Sequence, residues 1–400
     1  MKPNRWILPV IVISQFFCTS LWFAGNGIMN DLVGQFKLPD TALGHLTSAV
    51  QLGFIGGTLV FALLTIADRF SPSKVFFFSA LAGALFNLGT IYQNNNLYSL
   101  LLLRFLTGFS LAGIYPVGMK IAADYFAEGL GRSLGYLVGA LVVGTALPHL
   151  LKDFTGQLPW YLVVLATSSL ATLGGLMMVL LIPDGPFRRP GQQLDPAILF
   201  KLFRNRGLRS AAFGYFGHMW ELYAFWAFLP VMLAYFLNKG NHESYNIPLL
   251  SFLVIGLGGL ACVAGGYISQ NLGTRRTAFA ALLLSCACCI LSPLIFRYET
   301  GFMLIVFFIF WGLVVIADSP LFSTLVAQNA SPETKGTALT FVNSIGFFIT
   351  IISIQLLNLI SKIIDFEYMF MILAIGPVLG LAALFSNRQK SMLPIAGKGR

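Results

Sequence analysis

The sequence predicts an all-α membrane protein of twelve transmembrane helices, arranged as two pseudo-symmetric six-helix bundles. Three observations carry this expectation. Apolar runs of roughly membrane-crossing length recur twelve times, the two halves of the chain echo one another at one fixed offset, and a polar stretch divides the runs six and six. About 20 apolar residues cross the hydrocarbon core as a helix, and long continuous runs lack the alternation of a membrane barrel.

The runs lie at approximately 6–29, 42–66, 75–92, 98–122, 133–151 and 160–182 in the first half. In the second they lie at approximately 208–236, 247–269, 278–295, 302–328, 337–360 and 368–385. They are called spans one to twelve below. Trp22 and Trp226, Gly108 and Gly312, and Pro116 and Pro320 are each 204 residues apart and fall in matching spans, which points to a duplicated six-span unit. The expected domains are 1–182 and 208–390, joined by a linker at 183–207 and followed by a tail at 391–400. The linker is rich in Pro, Gly and Arg, and a short amphipathic helix around 195–204 is expected to lie on the membrane surface.

Composition excludes a water-soluble globule, since 57% of the residues are hydrophobic and 10% charged. The net charge of +10 does not indicate nucleic acid, because the basic residues sit in short loops between apolar runs. Sorted by alternate loops, 18 Lys and Arg fall on the side of the N-terminus and 5 opposite, with Arg104 and Lys120 inside span four. The positive-inside rule then predicts a multi-pass inner-membrane protein with both termini cytoplasmic. The basic stretch from Met1 to Arg5 runs into span one without a small-residue cleavage site, so that span is read as retained.

All five cysteines lie in apolar runs, so neither a disulfide framework nor a metal site is expected. No cofactor is expected either. Motifs such as HExxH are lacking, which argues against an intramembrane enzyme. The expected partners are a small-molecule solute, protons and the lipid bilayer, with the chain as a monomer.

Two loops carry a family resemblance. The loop after span two reads ADRFSPSK, residues 67–74, and the loop after span eight reads GYISQNLGTRR, residues 266–276. Both are similar to the G-x-x-x-D-R-x-G-R-R signature of the major facilitator superfamily. Asp68 and Arg69 are present in the first copy, while Arg275 and Arg276 are kept in the second, where Gln270 and Asn271 replace the Asp and Arg. The run RFLTGFSLAG, residues 104–113, resembles the arginine-bearing motif of span four in that superfamily. The resemblance implies the fold of that family, in which spans one, four, seven and ten line a central cavity and the two halves rock. It also implies that Asp68, Arg69, Arg275 and Arg276 form a cytoplasmic gate. Ordinary positive-inside loop charge is the other reading of these four.

Charges deep in the runs are few: Arg104 and Lys120 in span four, Glu221 with His218 in span seven, and Asp318 in span ten. Ionisable groups at membrane depth are expensive and usually belong to ion or substrate pathways. His218 and Glu221 are three apart and share a helical face, so with Asp318 they form the candidate proton-coupling set. The competing reading is a permanently paired structural Glu221, held by His218 or Arg104. Arg104 can also contact an anionic solute. Lys120 lies roughly 24 Å further along a straight helix, too far to share its site.

Gln15, Thr19, Trp22 and Asn26 follow spacings of four, three and four on span one. With Arg104, Trp226 and Trp311 they are the expected cavity lining, although such a stripe can also bond to neighbouring helices. Glycines in spans two, five and eight are expected at the joint between moving halves. His45 and His149 are read as interfacial histidines near the ends of spans two and five. The function expected is secondary active transport of a small polar or anionic solute by alternating access with protons. Export of amphiphilic, siderophore-like or drug-like compounds is the alternative, which the aromatic residues would suit.

Overall fold

Backbone N–H and C=O groups in hydrocarbon must pair within the chain, and runs this long satisfy that need as helices. The computed structural model describes residues 5–39, 41–126, 130–156, 158–188, 203–238, 245–298, 301–331, 334–361 and 363–391, the side chains of 130–132, 134 and 386–391 excepted. The described chain is helical, with no strand. Ten of its helices are long and apolar enough to cross a membrane. Span one and the helix Pro72–Gly89 bring the passes to the expected twelve. The expected surface helix at 195–204 falls largely, and the tail beyond Ser391 wholly, outside the described residues.

Span one is broken: Ile7–Thr19 gives way to turns at residues 20–23, then to Ala24–Gly27 and Met29–Phe36. Span four consists of Leu97–Leu111 and Tyr115–Tyr125, and span ten of Phe302–Ala317 and Ser319–Asn329. Pro116 and Pro320 explain the last two breaks, because proline lacks an N–H and clashes with the carbonyl four residues back. The carbonyl that Pro320 leaves without its usual donor belongs to Ile316, and the Cys262 thiol donates to it at 3.5 Å.

The duplication extends to backbone contacts. A Cβ at Gly108 would collide with the carbonyl oxygen of Val50, and one at Gly312 with that of Val254. Val50 and Val254 are again 204 residues apart. Glycine therefore lets span four lie directly on span two, and span ten on span eight. This narrows the expectation for the glycines: Gly53, Gly57 and Gly144 pack within their own half, while Gly258 meets Ile316 and Gly312 of its own half and also Val142 of the first. The joint between halves takes Gly139 of span five, whose Cβ position faces the backbone of Gly259 on span eight.

The face bearing Asp68, Arg188 and Asn205 is the linker face. On the opposite face polar bonds join the halves. Gln355 donates to the Gly44 carbonyl at 3.0 Å and to Ser48 Oγ at 2.8 Å, Asn358 to the Thr41 carbonyl at 3.1 Å, and Asn246 to Asp153 Oδ1 at 2.5 Å. Towards the linker face a cleft of about 290 Å³ separates span five, at Gly135 and Tyr136, from Gln270 of span eight and Thr324 of span ten.

Candidate functional site

Four buried ionisable groups, Arg104, His218, Glu221 and Asp318, lie in two places. The first is the break in span one. A helix that stops in mid-membrane leaves carbonyls without donors. Arg104, 2% exposed, supplies them by donating to the Leu21 carbonyl at 3.2 Å and to the Trp22 carbonyl. A cation past the end of Ile7–Thr19 also complements the helix dipole. Arg104 thus fastens span four to span one, and no ion pair joins it to Glu221 among the described residues.

The second place is the core of the second half. His218 Nδ1 lies 2.8 Å from Asp318 Oδ1, with both side chains 1% exposed. Asp318 stands at the break of span ten, so its carboxylate sits at the start of Ser319–Asn329, where the helix dipole favours negative charge. Tyr215 and Phe322 pack around the imidazole, at ring separations of 6.0 and 6.1 Å. Glu221 takes other partners. Its Oε1 accepts from Trp311 Nε1 at 2.6 Å and its Oε2 from Ser285 of the helix Thr274–Tyr298, span nine. The adjacency of His218 and Glu221 on span seven therefore resolves into two separate sites.

The expected cavity residues also divide. Thr19 donates to the Gln15 carbonyl of its own helix at 2.9 Å and contacts the Ala140 carbonyl of span five at 3.5 Å. Asn26 donates to Thr47 of span two at 2.9 Å. Gln15 turns towards Gly118 of span four. The turns at residues 20–23 dislocate the expected single face. Trp311 turns into the second half, with its ring 4.6 Å from Phe225. Trp22 and Trp226 reach the joint, where their rings meet Phe54, Tyr223, Phe347 and Phe23.

Asp68 and Arg69 bond within the first half. Lys120 Nζ is 2.8 Å from Asp68 and 3.7 Å from Asp124, so Lys120 belongs with the linker-face loop rather than with Arg104. Arg69 donates to Thr65 at 3.1 Å, Arg275 to the Leu384 carbonyl, and Arg276 is exposed. Arg188, at the start of the linker, donates to the carbonyls of Asp68 and Phe70 at 3.0 and 2.8 Å. His149 is buried rather than interfacial, at 2% exposure, because span five packs against spans one and eight.

Sequence reasoning missed Ser285 as a partner of Glu221, and the buried Gln51 and Phe347. Gln51, Phe54 and Thr58 do carry a signal, being spaced three and four apart on span two and so sharing a face.

The profile of the Major Facilitator Superfamily matches residues 11–354 and again 265–397. The chain belongs to the major facilitator superfamily. It is 27% identical over 218 residues to the 4-hydroxybenzoate transporter PcaK of Pseudomonas aeruginosa, a match covering 52% of this chain and 44% of that relative's length. With the niacin transporter NiaP of Acinetobacter baylyi it shares 33% identity over 162 residues, which is 34% of this chain and 36% of the relative. The putative uncharacterized transporter YgaY of Escherichia coli K12 is 23% identical over 301 residues, covering 71% of this chain and 72% of that one. Among solved structures, a mutant of the nucleoside transporter NupG superposes with a TM-score of 0.71 at 15% identity, covering 95% of this chain and 99% of that one. That superposition supports the fold of this superfamily member.

Proposed function

We propose that this protein is a secondary active transporter that moves a small polar or anionic solute by alternating access, coupled to protons. It sits in a bacterial inner membrane with both ends of the chain and the linker on the cytoplasmic side. The observation that carries this reading is the His218–Asp318 pair, buried in mid-membrane at the break of span ten. An acid and a base in contact at a helix break can exchange a proton when rocking changes their access to water. The bonded opposite face and the cleft at the linker face support an inward-facing conformer. The four loop charges form the gate that closes this cleft, and Glu221 responds to the pair from the neighbouring face of span seven. Two relatives are transporters of 4-hydroxybenzoate and of niacin, which favours a small organic anion.

The test is proton movement in proteoliposomes holding a trapped pH-sensitive dye, on addition of benzoate, nicotinate, lactate or nitrate. Solute-dependent proton movement above that of protein-free vesicles is expected, and Asp318→Asn or His218→Ala should reduce it about tenfold. Uptake of labelled solute without proton movement would refute the coupling. No uptake of any solute in the panel would remove the transporter reading.

A further inference from the structure

Six buried rings meet at mid-depth where the halves touch. Trp22 and Phe23 of span one and Phe54 of span two face Tyr223 and Trp226 of span seven and Phe347 of span eleven, the helix Lys335–Ile360. Phe347 has a distinct place among them. Its ring lies 5.6 Å from Trp22 and near-parallel at 26°, 4.6 Å from Phe54, and 5.3 Å from Tyr223. Trp22 and Phe54 belong to the first half, whereas Phe347 belongs to the second. One six-membered ring is thus held in a clamp made largely by the other half of the protein.

The clamp is bordered by polar groups that lack partners. The indole N–H groups of Trp22 and Trp226, each 1% exposed, have no acceptor among the described residues. Both ends of the Gln51 amide and the Thr58 hydroxyl also have no partner among the described residues, on the face of span two that carries Phe54. Buried donors without acceptors are costly and uncommon in native proteins. Behind Trp22, the Arg104 guanidinium adds positive potential. Flat apolar walls, unsatisfied N–H donors and a nearby cation together describe a receptor for a ring bearing a carboxylate.

We propose that this clamp binds planar single-ring aromatic acids, and that Phe347 fills it as an internal plug in the present conformer. The proposal rests on the alternating-access reading: rocking withdraws span eleven from spans one and two and leaves a slot the size of one ring. The solute ring then takes the place of the Phe347 ring, and its carboxylate accepts from the indole N–H groups.

The experiment measures equilibrium binding to the purified full chain, with labelled benzoate as probe and unlabelled competitors. Benzoate and nicotinate should compete about tenfold better than cyclohexanecarboxylate, which matches benzoate in size and charge but lacks the π face. Phe347→Ala, or the milder Phe347→Leu if the first fails to fold, should bind benzoate at least about threefold tighter, because an internal competitor has been removed. In the Ala variant 2-naphthoate should bind as well. Trp22→Phe keeps the ring, loses the N–H, and should weaken benzoate. Equal competition by cyclohexanecarboxylate, weaker benzoate binding in a folded Phe347 variant, or no binding of any aromatic acid would overturn the proposal. If lactate or nitrate drives proton movement in vesicles while no aromatic acid binds, the transporter reading stands and the clamp proposal alone falls. If benzoate binds as expected but no solute is transported, the clamp stands as a binding site and the transport reading falls.

Discussion

In the first half the Val50 carbonyl lies over Gly108, and in the second the Val254 carbonyl lies over Gly312, with both pairs at the same 204-residue offset. The buried charges show no such pairing. Arg104 corresponds to Phe308, Asp318 to Ile114, Glu221 to Phe17 and His218 to Ser14. The difference separates two kinds of constraint. What both halves keep is the approach of helix backbones, which the fold needs twice. What one half alone has is the chemistry. In the first half that chemistry repairs a broken helix, and in the second it places an acid beside a base.

The comparison is broken most severely at the glycines. Gly108→Val and Gly312→Val each push a branched side chain into a carbonyl that cannot move without shifting a helix. Each should destabilise the protein by about 3 kcal/mol or more, with loss of accumulated folded protein on size-exclusion chromatography. If one variant is tolerated while the other is not, the halves are not equivalent in packing.

Arg104→Ala comes next. It strands the carbonyls of Leu21 and Trp22 in mid-membrane, and two unsatisfied acceptors cost on the order of 2–4 kcal/mol. Arg104→Lys should recover only part of this, since a single ammonium lacks the planar fork that spans two carbonyls. Thermal unfolding of the purified variants reads both. An Arg104→Ala variant with an unchanged melt would mean that the guanidinium serves a ligand and not the helix break.

The same contrast explains what could be read from the sequence. Twelve runs, the repeat and the loop motifs were legible because hydropathy, glycine and proline act locally, and Pro320 announced the break at Asp318. The break after Thr19 was not legible, because no proline or glycine marks residues 20–23. It dislocates the stripe of Gln15, Thr19, Trp22 and Asn26 and gives Arg104 its partners. The separation of His218 from Glu221 was equally hidden. Helical spacing sets which face a side chain occupies, whereas Ser285 and Trp311 on other helices determine which partner it finds.

Asp318→Asn tests the second half by function. The amide keeps the shape of the carboxylate, so the melt should shift by less than about 1 kcal/mol, while solute-driven proton movement falls about tenfold. Ile114→Asp would place a carboxylate at the matching break of span four, and it should not restore that movement in the Asp318→Asn background, because Ser14 stands where His218 would be needed. Rescue would show that the halves are interchangeable in chemistry as well as in packing.

The smallest effect belongs to a pair that the first half alone carries at its surface. Lys152, at the end of span five, lies 2.9 Å from Asp31 in the third piece of span one, and the corresponding residues of the second half are Leu356 and Tyr235. Both side chains are partly exposed, at 20% and 29%, so solvent screens the pair. A double-mutant cycle of Lys152→Ala and Asp31→Asn should give a coupling of about 0.2–1 kcal/mol that shrinks as salt is raised. A salt-insensitive coupling as large as the loss in Arg104→Ala would place this pair among the anchors of the broken first span. A small, screened coupling leaves that anchoring to Arg104, whose carbonyl partners lie beyond the reach of salt.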